Sequence, residues 1–323
     1  MKWEIDAKDR AILYHLDDDA RQPVSKLSKK VRLNREVVRY RVDRMLKDGV
    51  IKKFLSYLTV PETGYIPLSF FLRFQNTSHN DEEKVVKYLK DKKSVVWLAS
   101  MDGRFNLGCV ICAQKMSEVA DFVGEFKDEY GEYLSDFQMA NIISMWRFPR
   151  TYLLGEDIDP PKLEKRIVVK EAKIDSVDRS ILAALGEDGR MKAVEIAQRA
   201  GISADAVADR INKLKKKGII ERFTVILNNL AIKRRFFRSF VTFHNQKKIE
   251  RKFLNYCNEH PNAIQVKRML GPWEYEVDLE VKDETELREI HAKFKKYFGE
   301  YVRSTSFASI YNIHKYDMGG FLK

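Results

Sequence analysis

The sequence predicts an α+β chain made of two tandem copies of one unit: a three-helix winged helix-turn-helix domain followed by a ferredoxin-like βαββαβ domain. The first observation is that residues 5–54 align with residues 174–223 without a gap, with fifteen identities in fifty positions. The second is that the same order of strand and helix patterns follows each of these stretches, at an offset of 168 residues. A repeat of this kind indicates a duplicated structural unit.

Each copy opens with a pattern typical of a capped helix. Asp6 is followed three residues later by Asp9, and Asp175 by Asp178, as in a capping box. Apolar positions at helical spacing then predict a first and a second short helix. In the first copy these positions are Ile12, Leu13, Leu16, Val24, Leu27 and Val31.

A tight turn at residues 32–33, or 201–202, leads to the third helix of each copy. Asn34 and Ser203 are N-cap residues, and Gly49 and Gly218 are stop signals. In the first copy an apolar stripe lies opposite a face of basic and aromatic residues; the stripe comprises Val38, Val42 and Met45. Three short helices with a basic third one are the pattern of a helix-turn-helix, and the strand-like runs 54–60 and 223–227 fit a winged variant.

The remaining patterns predict the ferredoxin-like part. In the first copy, strands are expected at 65–74, 94–101, 105–113 and 135–148, and helices at 81–90 and 117–130. An open sheet of this type has free edges, which favour pairing with a second such sheet. The predicted domains are winged helix-turn-helix 1 (1–54), ferredoxin-like domain 1 (55–148), a charged linker containing Pro160 and Pro161 (149–173), winged helix-turn-helix 2 (174–223) and ferredoxin-like domain 2 (224–316).

Composition favours a polyanionic partner. The formal net charge of the 323 residues is +12 and the pI is about 9.3. No apolar run is long enough to span a bilayer and the N-terminus lacks a signal-peptide core, so we expect a cytoplasmic protein without a membrane partner. Cys109 and Cys112 lie on one predicted strand and point to opposite faces, which indicates buried thiols rather than a metal or redox pair.

The two third helices differ in charge. Residues 28–53 carry ten basic and three acidic side chains, whereas residues 197–222 carry seven and three. Arg35, Glu36, Arg39 and Tyr40 of the first copy correspond to Ala204, Asp205, Ala208 and Asp209 of the second. We therefore expect double-stranded DNA as partner, with the first copy as its main reader. The expected DNA-binding residues are Asn34, Arg35, Arg39, Tyr40, Arg41, Arg44 and Lys47, with Ser203, Lys213 and Lys216 in the second copy.

These features together resemble the Lrp/AsnC (feast/famine) transcriptional regulators. The resemblance rests on Ile-Asp-x-x-Asp-Arg-x-Ile-Leu at the start of each copy, Gly-Val-Ile or Gly-Ile-Ile after the third helix, and a ferredoxin-like domain with a glycine turn between its middle strands. It implies regulatory domains that pair through their sheets, so that one chain corresponds to the family's homodimer and is able to assemble further.

The resemblance also implies that a small molecule such as an amino acid binds near the glycine turns. The matching positions are Asp102, Gly103, Asn106, Gly271 and Glu274. The family favours a Thr-Gly followed by an Asp there, whereas the turns here read Met101-Asp102-Gly103 and Leu270-Gly271-Pro272.

Two other classes of function stay open from the sequence. Sirohaem decarboxylases share the duplicated architecture and resemble this chain at Phe105-Asn106-Leu107. Their histidine and their Trp-Phe are replaced here by residues 102–103 and 108–109, so we expect no enzyme activity, no catalytic residues, no metal and no cofactor. The other alternative is a sensory or architectural protein with reduced DNA binding. Residues 233–238 (KRRFFR) lie on a predicted strand, and two interpretations stay open: an extra patch for DNA or a partner, or a strand with one basic face turned to water.

Overall fold

The computed structural model describes residues 4–155 and 174–323. The predicted fold class is confirmed, and most predicted elements agree with the observed ones to within one or two residues. The helices are α1 (Ala7–Asp18), α2 (Val24–Val31), α3 (Arg35–Lys47), α4 (His79–Asp91), α5 (Met116–Tyr130), α6 (Ser176–Glu187), α7 (Ala193–Ala200), α8 (Ala204–Lys216), α9 (Gln246–Glu259) and α10 (Glu284–Phe298). The strands are β1 (Ile51–Leu58), β2 (Ile66–Phe74), β3 (Val95–Gly103), β4 (Leu107–Ala113), β5 (Leu134–Arg147), β6 (Ile220–Leu227), β7 (Arg235–Phe243), β8 (Ala263–Leu270), β9 (Tyr275–Val281) and β10 (Val302–Tyr316).

Each three-helix unit, here called a head, begins with the predicted capping box. The Asp9 N–H donates to Asp6 Oδ1 at 2.8 Å, and the Asp6 N–H donates to Asp9 Oδ2 at 3.1 Å. Asp175 and Asp178 form the same pair of bonds. Because two otherwise unpaired backbone donors are satisfied, the first turns of α1 and α6 are fixed at equivalent places.

The turn before each third helix requires a left-handed residue. Gly201 supplies it in the second head at φ 68°, whereas Arg32 adopts φ 53° in the first. A side chain in this conformation costs about 1 kcal/mol. After this turn, α3 and α8 pack against the other two helices of their heads. In the first head the stripe Val38, Val42 and Met45 is buried in the core.

The wing strands pair with each other rather than within their own heads. β1 and β6 form an antiparallel two-stranded sheet in which Phe54 lies opposite Val225 and Ser56 opposite Phe223. Each strand thereby pairs one edge of the other. The boundaries proposed at 54/55 and 223/224 fall inside these strands, because each strand continues from its head toward the next domain.

The two ferredoxin-like sheets join into a closed eight-stranded barrel. Its strand order is β10-β3-β4-β2-β5-β8-β9-β7. One seam pairs β3 with β10, with Met101 opposite Ile310, and the other pairs β5 with β8, with Ile142 opposite Met269. Since both predicted sheets had free edges, closure satisfies the backbone groups along both seams.

The helices of the ferredoxin-like domains cover the outside of the barrel. Phe70 packs in the cluster beneath α4 and α5, whereas the next residue, Phe71, packs inside against Trp273 of the other copy, with ring centroids 5.2 Å apart. Cys109 belongs to the outer cluster and Cys112 to the inner one, as their spacing predicted. Burial raises the pKa of the Cys109 thiol to about 12, so this thiol stays protonated near neutral pH.

Only the first part of the predicted linker belongs to the described residues. Residues 149–155 include a short 3-10 turn at Thr151–Leu153, and Tyr152 and Leu153 are buried. Residues 156–173, with the remaining apolar positions of the predicted linker, lie outside them.

Candidate nucleic-acid interface

The α3 helix presents a continuous exposed face beyond its buried stripe. The Asn34 side chain accepts a hydrogen bond from the Glu36 N–H at 3.0 Å and so fixes the first turn. Arg35 and Arg39 are exposed, and the Tyr40 side chain is 62% exposed. The N-terminal half of this helix thus offers two guanidinium groups and a phenol, which are side chains that contact DNA bases and phosphates.

Two other arginines of α3 lie against neighbouring side chains of the same head. The Arg44 guanidinium lies over the Tyr40 ring at 5.6 Å, and its Nη2 is 3.8 Å from Asp9. Arg41 Nη1 donates to Asp6 at 2.7 Å and to Asp9 at 2.8 Å. These bonds to Asp9 and Asp6 raise the pKa of Arg41 above its ordinary value. Arg41 therefore ties α3 to the N-terminus of α1, a role that its place on a basic helix did not reveal.

The remaining predicted contact of the first head, Lys47, is exposed in the last turn of α3. It lies at the opposite end of the helix from Arg35. A lysine there is placed for a phosphate rather than for a base, because bases are read near the N-terminus of a recognition helix.

The second head has the same frame and a different exposed face. Ser203 caps α8 by accepting from the Ala206 N–H at 3.2 Å, and Arg210 pairs with Asp175 and Asp178 as Arg41 pairs with Asp6 and Asp9. Lys213 and Lys216 are exposed near its C-terminus. At the positions of Arg35 and Arg39, however, the second head has Ala204 and Ala208, so its N-terminal half carries no basic side chain.

Two further arginines fix the heads to each other. Arg21 Nη1 donates to the carbonyl oxygens of Gly189 and Met191, both at 2.9 Å. Arg190, its counterpart, donates from Nε to the Ala20 carbonyl at 2.5 Å. Burial lowers the pKa of both guanidinium groups, although nearby aspartates oppose the shift. Their identity in the two copies was visible in the sequence, but their bonds across the copies were not.

Three of the five positions expected to bind an effector, Asp102, Gly103 and Gly271, lie at the two seams of the barrel. Gly103 has φ 115°, and a Cβ there would lie 3.0 Å from the Phe307 carbonyl oxygen; a Cβ at Gly271 would lie 2.8 Å from that of Ala140. Asp102 is exposed beside the first turn. Each of the other two accepts a backbone hydrogen bond within its own domain: Asn106 Oδ1 from Phe74 N–H at 2.9 Å and Glu274 Oε2 from Phe243 N–H at 3.0 Å.

Within 4–155 and 174–323, no helix is both long and apolar enough to cross a bilayer. The same residues contain no group of three or more His, Cys, Asp or Glu side chains placed to hold a metal ion.

Two capped heads with a basic third helix and a paired wing strand define a winged helix-turn-helix protein. The winged helix-turn-helix DNA-binding family matches the chain twice, over residues 5–52 and 174–221. An uncharacterised helix-turn-helix transcriptional regulator of Pyrococcus horikoshii is 26% identical over 152 residues, which are 47% of this chain and 95% of that protein. The leucine-responsive regulatory protein of Rhizobium meliloti is 38% identical over 65 residues, 20% of this chain and 42% of its own length.

One solved structure shares nearly the whole architecture. The crystal structure of the sirohaem decarboxylase NirDL has a TM-score of 0.62 and 12% identity, covering 98% of this chain and 96% of its own. At this identity the similarity shows a common fold. The two heads match the winged helix-turn-helix model, and one copy is similar to almost the whole length of a single-unit regulator, so the chain is similar to two such units in tandem.

Proposed function

We propose that this protein is a cytoplasmic regulator that reads double-stranded DNA mainly through α3, while α8 contributes phosphate contacts. One observation carries the proposal: two heads with the same frame differ at the exposed N-terminal half of the third helix. Arg35, Arg39 and Tyr40 stand in the first head where Ala204, Ala208 and Asp209 stand in the second. Alanine and aspartate are too short or of the wrong charge to bind base edges beside phosphates.

Within the first head we assign base contacts to Asn34, Arg35, Arg39, Tyr40 and Arg44, and a phosphate contact to Lys47. Arg39 also pairs with Glu36 at 3.0 Å, but both side chains are more than half exposed. An exposed pair of this kind contributes at most about 1 kcal/mol, so the guanidinium is available for DNA. We give Arg41 a structural role, because Asp6 and Asp9 already hold its guanidinium.

The test begins with the selection of bound fragments from a random DNA pool. Fluorescence anisotropy on the selected site then compares the double variant Arg35→Ala, Arg39→Ala with Lys213→Ala, Lys216→Ala. We expect the first to lose affinity by about 10-fold to 100-fold and to lose sequence preference. The second should weaken binding to all sequences alike. It should also reduce the slope of log affinity against log salt by up to about two. Unchanged preference in the first variant would refute the assignment to α3.

We further propose that a small molecule such as an amino acid acts at the glycine turns and that chains assemble beyond the intrachain pair. Both turns lie at seams between the two copies, where a ligand contacts both halves of the barrel. Since Asn106 and Glu274 already bond to backbone N–H groups, Asp102 is the predicted polar contact left at the first turn. Anisotropy and light scattering with each amino acid in turn test both proposals; no change with any of them would contradict the effector.

We propose that the chain is not a sirohaem decarboxylase, despite the shared architecture. The structural support is the packing around Gly108, where that class carries a tryptophan: a Cβ there would lie 2.8 Å from Met101 Sδ and 3.3 Å from the Phe71 ring. Titration with sirohaem tests this proposal. A saturable visible band together with release of carbon dioxide would overturn it.

A further inference from the structure

A cavity of about 780 Å³ lies between the heads and the inside of the barrel, away from both glycine turns. This volume is within the usual range of small-molecule sites and many times that of a water molecule. Its walls include aromatic side chains from four strands, namely Tyr57 of β1, Trp97 of β3, Trp146 of β5 and Tyr316 of β10. We call this space the chamber.

Charged side chains of both copies line the chamber, among them Arg147 of the first copy and Arg238 and Asp278 of the second. The cross-strand pair Arg238 and Asp278 occupies the place that Ser69 and Val110 occupy in the first copy, as the strand registers show. Arg238 holds Asp278 with two bonds, from Nε at 2.6 Å and from Nη2 at 3.0 Å. The first copy therefore has no charged pair at these two strand positions.

The buried acidic side chains of the second copy near the chamber already accept hydrogen bonds from protein donors. Besides Arg238, Asp278 accepts from Gln265 at 3.2 Å, and Lys267 donates to Glu276 at 2.8 Å. Burial acts to raise the pKa of Asp278, but the charges of Arg238 and Lys267 outweigh it, and the pKa stays below its ordinary value. Glu280 is likewise saturated; its donors are Arg150, Tyr152 and Asn229.

Spare hydrogen-bonding capacity at the chamber comes from arginines. Arg238 Nη1, Arg147 Nε and Arg222 Nε are buried and have no hydrogen-bond acceptor within the described residues, and all three residues line the cavity. The side chains of Arg238 and Arg147 are only 2% and 4% exposed. Arg238 Nη1 lies 3.5 Å from Glu276, close enough for an ion pair but not bonded. A buried N–H without an acceptor is costly, so an occupant that supplies acceptor oxygens is favoured.

The charge of the lining sets the kind of oxyanion. Among the residues that the structure describes, seven basic and five acidic side chains line the chamber, a surplus of two positive charges that favours an anion. Asp278 and Glu280 repel a singly charged carboxylate less than they repel a phosphate dianion, so a carboxylate is favoured. We propose that the chamber binds one organic carboxylate per chain, with its carboxylate at Arg238 and an aromatic or other flat apolar body between the aromatic walls.

Isothermal titration calorimetry with the full-length chain tests this proposal. The probe is naphthylacetate, and its matched control is naphthylethanol, which has the same ring system and no charge. We expect one site per chain for the acid and binding at least about ten-fold weaker for the alcohol. No saturable heat with the acid, or equal affinity for the two, would overturn the proposal.

Variants locate the site. Arg238→Met alone leaves Asp278 buried without its partner, so the double variant Arg238→Met, Asp278→Leu removes both charges together. We expect it to lose binding of the acid at least about ten-fold, whereas Asp278→Asn, which releases the guanidinium, should bind more tightly. Ser69→Ala changes the matching position of the first copy and should bind as the parent does. Unchanged affinity in a double variant that melts normally refutes the site, and none of these measurements involves DNA.

Discussion

The two heads retain one ion-pair arrangement although their DNA-facing residues differ. Arg41 and Arg210 each bridge the N-cap aspartate and the third residue of the preceding capping box. Asp9 is completely buried, so its carboxylate depends on the partners that surround it. The same arginine is therefore present in a head with a basic exposed face and in a head without one. This is explained by the packing of the three-helix unit and not by DNA binding.

Arg41→Met is expected to lower the free energy of unfolding by about 2 to 3 kcal/mol, because it takes the nearest cation from a buried carboxylate. Chemical denaturation followed by circular dichroism measures the change. Arg39→Met is the matched control on the same helix: its pair with Glu36 is exposed, and its effect should stay within about 0.5 kcal/mol. Equal losses in the two variants would contradict the structural role of Arg41.

The capping aspartates predict how stability responds to acid. For Asp6, burial acts to raise the pKa, but the Asp9 N–H and Arg41 outweigh it and hold the pKa below 3.8. For Asp175, the Asp178 N–H and Arg210 do the same. A lowered folded-state pKa means that the stabilisation is present above the unfolded value of 3.8 and is lost as the pH falls through the folded one.

We therefore expect the melting temperature of Asp6→Asn, Asp175→Asn to fall less than that of the parent between about pH 5 and pH 2. Scanning calorimetry across this range compares the two. Asp48→Asn, at an exposed position, is the control and should follow the parent curve. A double variant that loses as much stability in acid as the parent would show that these caps do not carry the effect.

At the scale of elements, the difference between α3 and α8 gives a gain-of-function prediction. Ala204→Arg, Ala208→Arg places two guanidinium groups where the first head has them, on a helix whose cap and core stripe are already formed. DNA affinity should rise, and the slope of log affinity against log salt should steepen by about one unit for each new phosphate contact. Anisotropy at several salt concentrations measures both.

The control for that experiment is Ala204→Gln, Ala208→Gln, which adds length without charge. Its salt slope should equal the parent's. If the arginine variant also keeps the parent's slope, α8 does not approach DNA, and the second head has a purely structural part in binding.

Local patterns predicted the helices and strands well because their signals lie within a few residues of each element. The caps Asp6 and Asn34 and the stop at Gly49 are of this kind. The pairing of β1 with β6 is different: the partner of each strand is about half a chain away, and either strand has the same local pattern with or without it. Register between distant strands is set by tertiary contacts, which a periodicity does not contain.

At the scale of the whole molecule, closure of the barrel buries side chains that an alternating strand pattern predicts to be exposed. Both interpretations of residues 233–238 expose their basic side chains, yet Arg238 is 2% exposed and Arg234 8%. For Arg238 the prediction was wrong because an alternating strand has a wet face only if its sheet stays open. Arg234 precedes β7 and is buried for another reason: its guanidinium lies over the Tyr152 ring at 4.6 Å. Arg235, between Arg234 and Arg238 in sequence, is exposed as expected. The charged pair at the chamber was missed for the same reason as Arg238, since Arg238 and Asp278 come from strands that look half-exposed.

The junction between the heads gives the last prediction, because it determines how α3 and α8 are presented together. The Gly189 N–H donates to the Phe54 carbonyl at 3.0 Å, and a Cβ at Gly189 would lie 2.6 Å from the Leu55 carbonyl carbon. Gly189→Ala must therefore push β1 away from the second head. We expect a loss of about 1 to 3 kcal/mol in the free energy of unfolding, since a packed backbone cannot yield as a flexible side chain does.

Gly124→Ala is the matched control for that substitution. Gly124 lies in α5 with nothing within 4 Å of its added Cβ, so alanine should leave stability unchanged or raise it by up to about 1 kcal/mol. Calorimetry measures the stability of both variants, and anisotropy on the selected DNA site measures their affinity. Together they distinguish a loss of folding from a change in how α3 and α8 are positioned. A Gly189→Ala variant with parental stability and DNA affinity would show that the heads need no fixed junction. Weaker DNA binding in a variant that is still folded at the assay temperature would show that the second head acts by positioning the first.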